Sequence, residues 1–351
     1  MTIPPGSTIG ILGGGQLGRM LAMAGAQLGY RTHIYAPGMS GPASEVAARW
    51  THGAYDDAAA VATFATQVDV ITYEFENVDV AALEGLPGVR PGRRALEVAQ
   101  DRLAEKQFAL ELGGRPAPFR AVGSAEELEA ALGEIGTPAI LKTRRFGYDG
   151  KGQARIALPE GGREAWARIG GKPAVLEGLV TFGAEFSILL ARGADGQVVR
   201  WGAVTNRHRD GILDVSTVPA AGVVRAQAEE AAALTERIAA ELDYVGVLAC
   251  EFFASADGPV FNEMAPRVHN SGHWTIEGAV TSQFENHIRA ICGLPLGSTA
   301  FVGQGAEMRN LIGQDAEDWA MVLADPTQHL HLYGKTGAKP GRKMGHVTRV
   351  R

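Results

Sequence analysis

Residues 246–264 read GVLACEFFASADGPVFNEM, two apolar runs joined by a turn-forming segment. A turn centred near Asp257-Gly258 predicts a hairpin of two antiparallel strands. In that register Glu251 and Glu263 face each other, with their Cβ atoms about 5 Å apart. The alternative is a register shifted by one residue, which would send one of the two carboxylates to solvent.

Two facing carboxylates on apolar strands repel each other and lose hydration. A bridging cation relieves both effects, and hard oxygen ligands favour Mg²⁺. We therefore expect a magnesium site on Glu251 and Glu263. Zinc is the weaker alternative. His269 and His273 are spaced i, i+4, but Gly272 interrupts any helix there and the H-E-x-x-H pattern is missing.

A second signal is the glycine-rich loop TRRFGYDGKGQ at residues 143–153, between the predicted strands PAILK and ARIAL. Backbone N–H groups of such a loop can fold over phosphates, and Lys142 and Lys151 add positive charge. The loop is not a P-loop, because G-x-x-x-x-G-K-[ST] is absent. The alternative is that Lys142 has no ligand and only extends its ammonium group from a buried strand to water. Glu177 in LEGLV could accept a hydrogen bond from an adenine amine, which favours ATP.

Near the start, TIGIL at residues 8–12 predicts a buried strand, and Gly13, Gly15 and Gly18 follow it before a helical pattern. Glycines there let the backbone approach a phosphate. A dinucleotide site also needs an acidic residue about 20 positions further on. No Asp or Glu occurs between Gly18 and Glu45. NAD is therefore disfavoured, while another phosphate ligand and a purely structural turn stay open.

The alternation of strands and helices predicts an α/β protein that begins with a βαβ nucleotide-binding fold. Its third strand, VDVITYEF at residues 68–75, carries Glu74 at its end, where open sheets bind ligands. Ser124 and Glu127 form a predicted capping box. An alanine-rich helix is predicted over residues 226–242, and short strands after about residue 297.

Composition narrows the class of protein. The chain has 351 residues, of which 46% are apolar and 21% charged, with a formal net charge of −6. Two or three domains are expected, and a general nucleic-acid surface is disfavoured. The two cysteines, Cys250 and Cys292, lack metal-ligand spacing, which is typical of a reducing cytoplasm. No signal peptide or membrane-spanning segment is predicted.

The motifs together resemble the ATP-grasp ligases, and in detail the family of 5-(carboxyamino)imidazole ribonucleotide synthetases. They are GILGGGQLGRM, YEFENV, QDRLAEK, LKTRRFGYDGKGQ, NRHRDGIL, GVLACEFF, NEMAPRVHNSGHWT and PGRKMGH, in the family's order over nearly the whole chain. GYDGKGQ and NEMAPRVHNSGHWT are the specific ones. Asn77 stands where the family commonly has histidine, so position 77 has no assigned role, and neither has His273.

The resemblance implies an ATP-grasp fold in four parts. They are an N-terminal Rossmann-like pre-ATP-grasp domain (1–102), a central subdomain with the glycine-rich lid (103–180), a C-terminal ATP-grasp subdomain with the magnesium site (181–296) and a small β-rich segment that completes the substrate site (297–351). It also implies a cytoplasmic homodimer.

The implied activity is ATP-dependent carboxylation of 5-aminoimidazole ribonucleotide with bicarbonate, through carboxyphosphate, in purine biosynthesis. The resemblance assigns ATP to Arg102, Lys142, Gly147, Tyr148, Asp149, Gly150, Lys151, Gly152, Gln153, Glu177, Val180, Glu185, His208, Asn262 and Glu263. It assigns the substrate nucleotide to Gly15, Gln16, Leu17, Glu74, Lys335 and Arg342, and Mg²⁺ to Glu251 and Glu263. It assigns bicarbonate and carboxyphosphate chemistry to Arg267, His269 and Asn270, with Tyr148 and Asp149 on the lid.

These assignments suit the chemistry. Arg267 can bind a planar anion with two parallel hydrogen bonds, and the ordinary pKa of histidine suits His269 for proton transfer. The alternatives are another ATP-grasp ligase, such as a formate-using relative, a catalytically inactive nucleotide-binding module, and, remotely, an NAD-dependent oxidoreductase. A relative should lack RVHNSGHWT and PGRKMGH, and an inactive module should lack Glu251, Glu263 or Lys142.

Overall fold

The N-terminal part is built on a parallel sheet. The protein is described from a computed structural model that covers residues 2–147 and 152–351. The elements of this part are β1 (Thr8–Leu12), α1 (Gln16–Gln27), β2 (Arg31–Ala36), β3 (Arg49–His52), α2 (Ala58–Ala65), β4 (Val70–Tyr73) and α3 (Arg93–Ala99). The strand order is β3-β2-β1-β4, all parallel. The predicted nucleotide-binding fold is confirmed, although β4 is shorter than predicted and β3 was not predicted.

The middle of the chain forms a small antiparallel sheet with helices on it. Its elements are α4 (Arg102–Glu111), β5 (Phe119–Val122), α5 (Ala125–Ile135), β6 (Ala139–Thr143), β7 (Gln153–Ile156), α6 (Gly162–Arg168) and β8 (Ala174–Gly178). The strand order is β5-β8-β6-β7. Ser124 caps α5 as predicted, by accepting from the Glu127 N–H at 3.2 Å. The Glu127 carboxylate returns to the Gly123 N–H rather than to Ser124.

The rest of the chain forms one large antiparallel sheet. Its elements are β9 (Ala184–Arg192), β10 (Val198–Arg200), β11 (Val204–Arg209), β12 (Ile212–Val218), α7 (Gly222–Glu241), β13 (Gly246–Ser255), β14 (Gly258–Ala265), α8 (Thr275–Gly278), α9 (Gln283–Ile291), β15 (Ala306–Ile312), α10 (Trp319–Ala324), β16 (Gln328–Leu332) and β17 (Lys343–Val350). The main strand order is β14-β13-β9-β11-β12-β15-β17-β16. The C-terminal strands therefore extend the sheet that carries the β13–β14 hairpin, and β17 lies between β15 and β16.

Helix α7 covers the back of this sheet. Its buried positions, which include Val224, Ala231, Leu234 and Ile238, recur at helical spacing and pack on the apolar sides of β9 and β13. The helix begins four residues before the predicted residue 226. The opposite face of these strands also carries buried apolar residues, among them Leu189, Val247 and Ala249, which belong to the core cluster that includes α9. Glu251 follows them on that face of β13, paired with Glu263 of β14. Across residues 2–147 and 152–351, none of the helices has the length and apolar character needed to span a bilayer.

Candidate active site

The acidic pair lies on neighbouring strands in the predicted register. Glu251 of β13 is paired with Glu263 of β14, and the register shifts by one residue immediately afterwards, so that Phe252 is opposite Phe261. The extra residue on β14 is Asn262, which makes a β-bulge. The bulge keeps both carboxylates on one face of the hairpin, and the alternative shifted register is excluded.

The two carboxylates have opposite electrostatic environments. Burial, followed by repulsion from Glu263, raises the pKa of Glu251 to about 7. Burial also opposes ionisation of Glu263, but Arg102, whose Nη1 lies 2.9 Å from its Oε2, outweighs it and lowers the pKa of Glu263 to about 2. Glu263 is therefore ion-paired with Arg102, whereas among the described residues no lysine or arginine forms a salt bridge with Glu251.

A buried group of charges lies beside this pair. Oε2 of Glu177 at the end of β8 lies 3.0 Å from Nζ of Lys142 and 3.2 Å from Nζ of Lys106. Burial works against the Glu177 charge, but the two ammonium groups outweigh it and lower its pKa. The other oxygen, Oε1, is buried and has no hydrogen-bond partner within the described residues. That oxygen is free to accept from a ligand N–H group.

Helix α4 contributes two buried charged residues that the sequence analysis missed. Glu105 accepts from the Met264 N–H at 2.6 Å, and Lys106 donates to the carbonyl of Asn262 at 3.2 Å. Burial, then the nearby Glu263, raises the pKa of Glu105 to about 8. The signal in the sequence was a Glu-Lys pair on the helix face that Phe108 and Ala109 mark as buried.

Two further predicted ATP residues are brought together on adjacent strands. Nδ1 of His208 on β11 lies 2.6 Å from Oε2 of Glu185 on β9. Burial disfavours the imidazolium, but Glu185 outweighs it and raises the pKa of His208. Val180 lies in the segment that joins β8 to β9, where it lines a cleft of about 700 Å³ between the small and the large antiparallel sheet.

The segment after β14 carries the predicted anion-binding residues. Arg267 forms an ion pair with Glu76 of the N-terminal domain at 2.5 Å. Both side-chain polar atoms of Asn270 are buried without a partner among the described residues. His269 accepts at Nδ1 from the Ser271 N–H, so its Nε2 carries the proton and lies 3.4 Å from Glu251.

The protonation state of His269 differs from the expectation. Burial, followed by the charge of Arg267, lowers its pKa to about 3. The neutral ring presents an N–H donor at neutral pH rather than a group that titrates there. The ordinary pKa expected from its residue type is wrong for this site, because the sequence does not show how deeply the ring is buried.

The predicted substrate residues gather at the carboxyl end of β1 and β4. Oε1 of Glu74 accepts from the Gly15 N–H at 2.7 Å, and Gln16 and Leu17 begin α1. The side chain of Leu17 is in the core, which leaves its backbone for a ligand. Burial raises the pKa of Glu74, while the Gly15 N–H, Arg267 and Lys335 oppose the rise.

The two basic residues of the C-terminal segment differ in position. Lys335 donates to the carbonyl of Lys343 at 2.7 Å and lies close enough to Glu74 to affect its pKa. Arg342 folds back to donate to the carbonyls of Thr336 and Gly337. In the structure Lys335 is therefore near the glycine-rich turn, and Arg342 is held by its own loop.

Part of the predicted lid lies outside the described residues, namely Tyr148, Asp149, Gly150 and Lys151. The residues that flank them are placed. Arg102 donates to the Gly147 carbonyl at 2.9 Å, and Gly152 accepts from the Thr143 N–H. Gln153 begins β7. The lid therefore begins and ends beside Arg102 and Lys142.

The site combines two antiparallel sheets, a buried lysine–glutamate pair at the end of the small sheet and opposed carboxylates on a hairpin of the large sheet. These features define an ATP-grasp enzyme. The ATP-grasp domain family matches residues 107–284. The ribonucleotide synthetase preATP-grasp domain matches residues 6–100, and the phosphoribosylaminoimidazole carboxylase C-terminal domain matches residues 306–351.

Full-length relatives narrow the class to one family. The chain is 52% identical over 356 residues to the N5-carboxyaminoimidazole ribonucleotide synthase of Brucella melitensis, covering 100% of this chain and 98% of that protein. The solved structure of the synthetase from Thermus thermophilus has a TM-score of 0.91 at 50% identity, covering 98% and 93% of the two chains. The synthase of Aspergillus clavatus, solved with ADP and 5-aminoimidazole ribonucleotide, has a TM-score of 0.91 at 30% identity, with 98% and 94% covered. The chain belongs to the N5-carboxyaminoimidazole ribonucleotide synthase family.

Proposed function

We propose that the protein carboxylates 5-aminoimidazole ribonucleotide with bicarbonate at the expense of ATP. A bicarbonate oxygen attacks the γ-phosphorus and ADP leaves, which gives carboxyphosphate. Carboxyphosphate breaks into CO₂ and phosphate. The exocyclic amine then attacks CO₂ and loses a proton, which gives the N5-carboxylated nucleotide. The observation that carries this proposal is the opposed pair Glu251 and Glu263, with the Lys142–Glu177 pair on one side and residues 267–270 on the other.

The nucleotide would lie between the small and the large sheet. Oε1 of Glu177, which no described residue pairs, would accept from an adenine amine, and Val180 would lie against the base. Lys142, Arg102 and the lid residues 147–153 would hold the phosphates, because they offer positive charge and backbone N–H groups. The Glu185–His208 pair on the neighbouring strands would contact the rest of the nucleotide.

The donor set also fits a divalent cation of oxygen preference. Within residues 2–147 and 152–351 no group of three or more His, Cys, Asp or Glu side chains could hold a metal. Proteins commonly bind Mg²⁺ through one or two carboxylates, and the nucleotide phosphates supply further ligands. Glu251 and Glu263 would hold the ion, beside Asn262. Bound there, Mg²⁺ offsets negative charge on the phosphoryl group.

The bicarbonate end would use the three side chains after β14. Arg267 supplies a guanidinium fork for a planar anion. The buried amide of Asn270 has no hydrogen-bond partner among the described residues, and the neutral Nε2–H of His269 lies beside Glu251. Together they can hold bicarbonate and carboxyphosphate, and none of the three side chains changes its charge near neutral pH.

The acceptor nucleotide would lie on Gly15, Gln16 and Leu17, beside Glu74. Lys335 would reach its phosphate, and Arg342 would have to leave its loop carbonyls to join it. Tyr148 and Asp149 on the lid would close over the reacting amine and exclude water from carboxyphosphate. We place the reaction in the cytoplasm, in a homodimer.

The decisive experiment is an ADP-release assay in which acceptors are exchanged. We expect ADP only with ATP, Mg²⁺ and bicarbonate together, and faster release when 5-aminoimidazole ribonucleotide is added. Matched reactions would contain formate with glycinamide ribonucleotide, the substrates of the competing ATP-grasp activity. No stimulation by 5-aminoimidazole ribonucleotide would overturn the proposal, and stimulation by formate would favour the alternative.

A further inference from the structure

The loop that carries Arg267, His269 and Asn270 is held by one buried amide. Gln283 is the first residue of α9 and is fully buried. Its Oε1 accepts from the His269 N–H at 2.9 Å, and its Nε2 donates to the His269 carbonyl at 2.7 Å. One side chain thus binds both backbone polar groups of the residue at the centre of the anion-binding loop.

His273 completes the hydrogen bonding of this amide. Its Nδ1 lies 3.2 Å from Nε2 of Gln283. Burial, then the neighbouring His269 and His331, keeps the pKa of His273 well below its usual range. A neutral ring can accept the second N–H of the amide. The orientation of the Gln283 amide is therefore fixed by three contacts.

The far end of the loop is packed against the same side chain. Thr275 donates through Oγ1 to the Gly272 carbonyl at 2.6 Å and accepts from the Gln283 N–H at 3.0 Å. A Cβ on Gly272 would lie 2.6 Å from Oε1 of Gln283. Only glycine fits this close approach, so Gln283 packs directly against the backbone of the loop.

We propose that Gln283 is a positioning residue for the bicarbonate and carboxyphosphate subsite, acting through the His269 backbone. By fixing that peptide it directs the side chains of Arg267, His269 and Asn270 toward the acidic pair. His273, which the sequence analysis left without a role, serves as the acceptor that holds the amide. The inference rests on the proposed function and extends it to residues that need not touch a substrate.

Helix α9 contains a matched control. Asn286, less than one turn further along, is equally buried. Its Oδ1 accepts from the Gly297 N–H at 2.7 Å, and its Nδ2 donates to the Gly297 carbonyl at 3.2 Å. It makes the same pair of bonds to one residue's backbone, but on a loop that carries none of the proposed site residues.

The test compares Gln283→Met with Asn286→Leu. Each substitution leaves a buried N–H and C=O unpaired, so both should lower the melting temperature by similar amounts. Only Gln283→Met should raise the KM for bicarbonate, by about tenfold or more, with the KM for ATP changed by less than about twofold. Equal responses of the two variants, or an unchanged bicarbonate KM in Gln283→Met, would overturn the inference.

Gln283→Glu serves if Gln283→Met does not fold. It keeps the acceptor for the His269 N–H but puts an oxygen opposite the His269 carbonyl. A protonated carboxyl would restore the donor, so its rate relative to wild type should recover as pH falls from 8 to 6. A pH-independent ratio would contradict the positioning role. A wild-type protein without bicarbonate-dependent ADP release would overturn the proposed function and this inference together. If the wild type is active, the variants test the positioning role of Gln283 alone.

Discussion

At the scale of single residues, the acidic pair shows that identical side chains on paired strand positions are made unequal by their neighbours. Arg102 holds Glu263 ionised, while Glu251 is left with repulsion and burial. This inequality gives the two residues different effects on stability but the same proposed role in binding Mg²⁺.

We predict that Glu251→Gln and Glu263→Gln both abolish ATP turnover but shift stability in opposite directions. The folded pKa of Glu251, about 7, is above its ordinary value, so its charge destabilises the protein at pH 8 and not at pH 5. Glu251→Gln should therefore increase the free energy of unfolding at pH 8 by up to about 3 kcal/mol. The melting temperature should rise at pH 8 and change little at pH 5.

The partner variant supplies the control. Glu263→Gln leaves Arg102 without its carboxylate, so its melting temperature should fall at pH 8. Differential scanning fluorimetry of both variants at the two pH values measures this directly. A rise for Glu263→Gln, or a fall for Glu251→Gln at pH 8, would contradict the assignment.

The register of this pair could be predicted from sequence because a hairpin turn fixes its strands locally. The helix pattern marks Glu105 and Lys106 as buried, but it could not predict their partners Met264 and Asn262, which are 159 and 156 positions away. Gln283 gave no signal either, since a polar residue at the start of a helix is ordinary. The sequence also could not show that burial keeps His269 neutral.

At the scale of elements, the glycine-rich turn before α1 is shaped by Glu74. A Cβ on Gly13 would lie 2.4 Å from the Glu74 side chain, and one on Gly15 would lie 2.9 Å from its Oε1. The glycines therefore admit a buried carboxylate as well as a ligand. The sequence disfavoured NAD because no Asp or Glu occurs between Gly18 and Glu45, and the structure gives the glycines the further role of accommodating Glu74.

We predict that Gly15→Ala displaces Glu74 and raises the KM for 5-aminoimidazole ribonucleotide about tenfold, with the KM for ATP unchanged. Gly92→Ala in the same domain is the matched control, because a Cβ there would meet nothing within 4 Å. Steady-state kinetics with each substrate varied separately would show this. Equal effects on both KM values would mean that the turn does not serve the acceptor nucleotide.

At the scale of the whole molecule, His287 joins the N-terminal domain to the large sheet. Its Nδ1 accepts from the Val247 N–H at 3.1 Å, so the Nε2–H donates to Oγ1 of Thr72 at 2.8 Å. Burial lowers its pKa to about 3. The other histidines whose pKa is lowered are His33, His269, His273 and His346.

We predict a stability maximum at about pH 6. Histidines with lowered pKa bind fewer protons in the folded state, so stability falls as the pH drops below their ordinary pKa. Glu105 and Glu251, with folded pKa values of about 8 and 7, bind more protons when folded, so stability also falls as pH rises toward 8. Melting temperatures from pH 5 to pH 9 would show a peak, and a steady rise to pH 9 would contradict it. Glu251→Gln should flatten the alkaline side.

The parallel sheet could be predicted from the alternation of strands and helices, but nothing in the sequence indicated that the C-terminal strands would join the large sheet. The insertion of β17 between β15 and β16 has a consequence for synthesis on the ribosome. Both neighbours are made first, and each keeps a row of unpaired N–H and C=O groups until residues 343–350 emerge. Chains interrupted before that point would expose two open strand edges, which makes them candidates for aggregation and for removal by proteases.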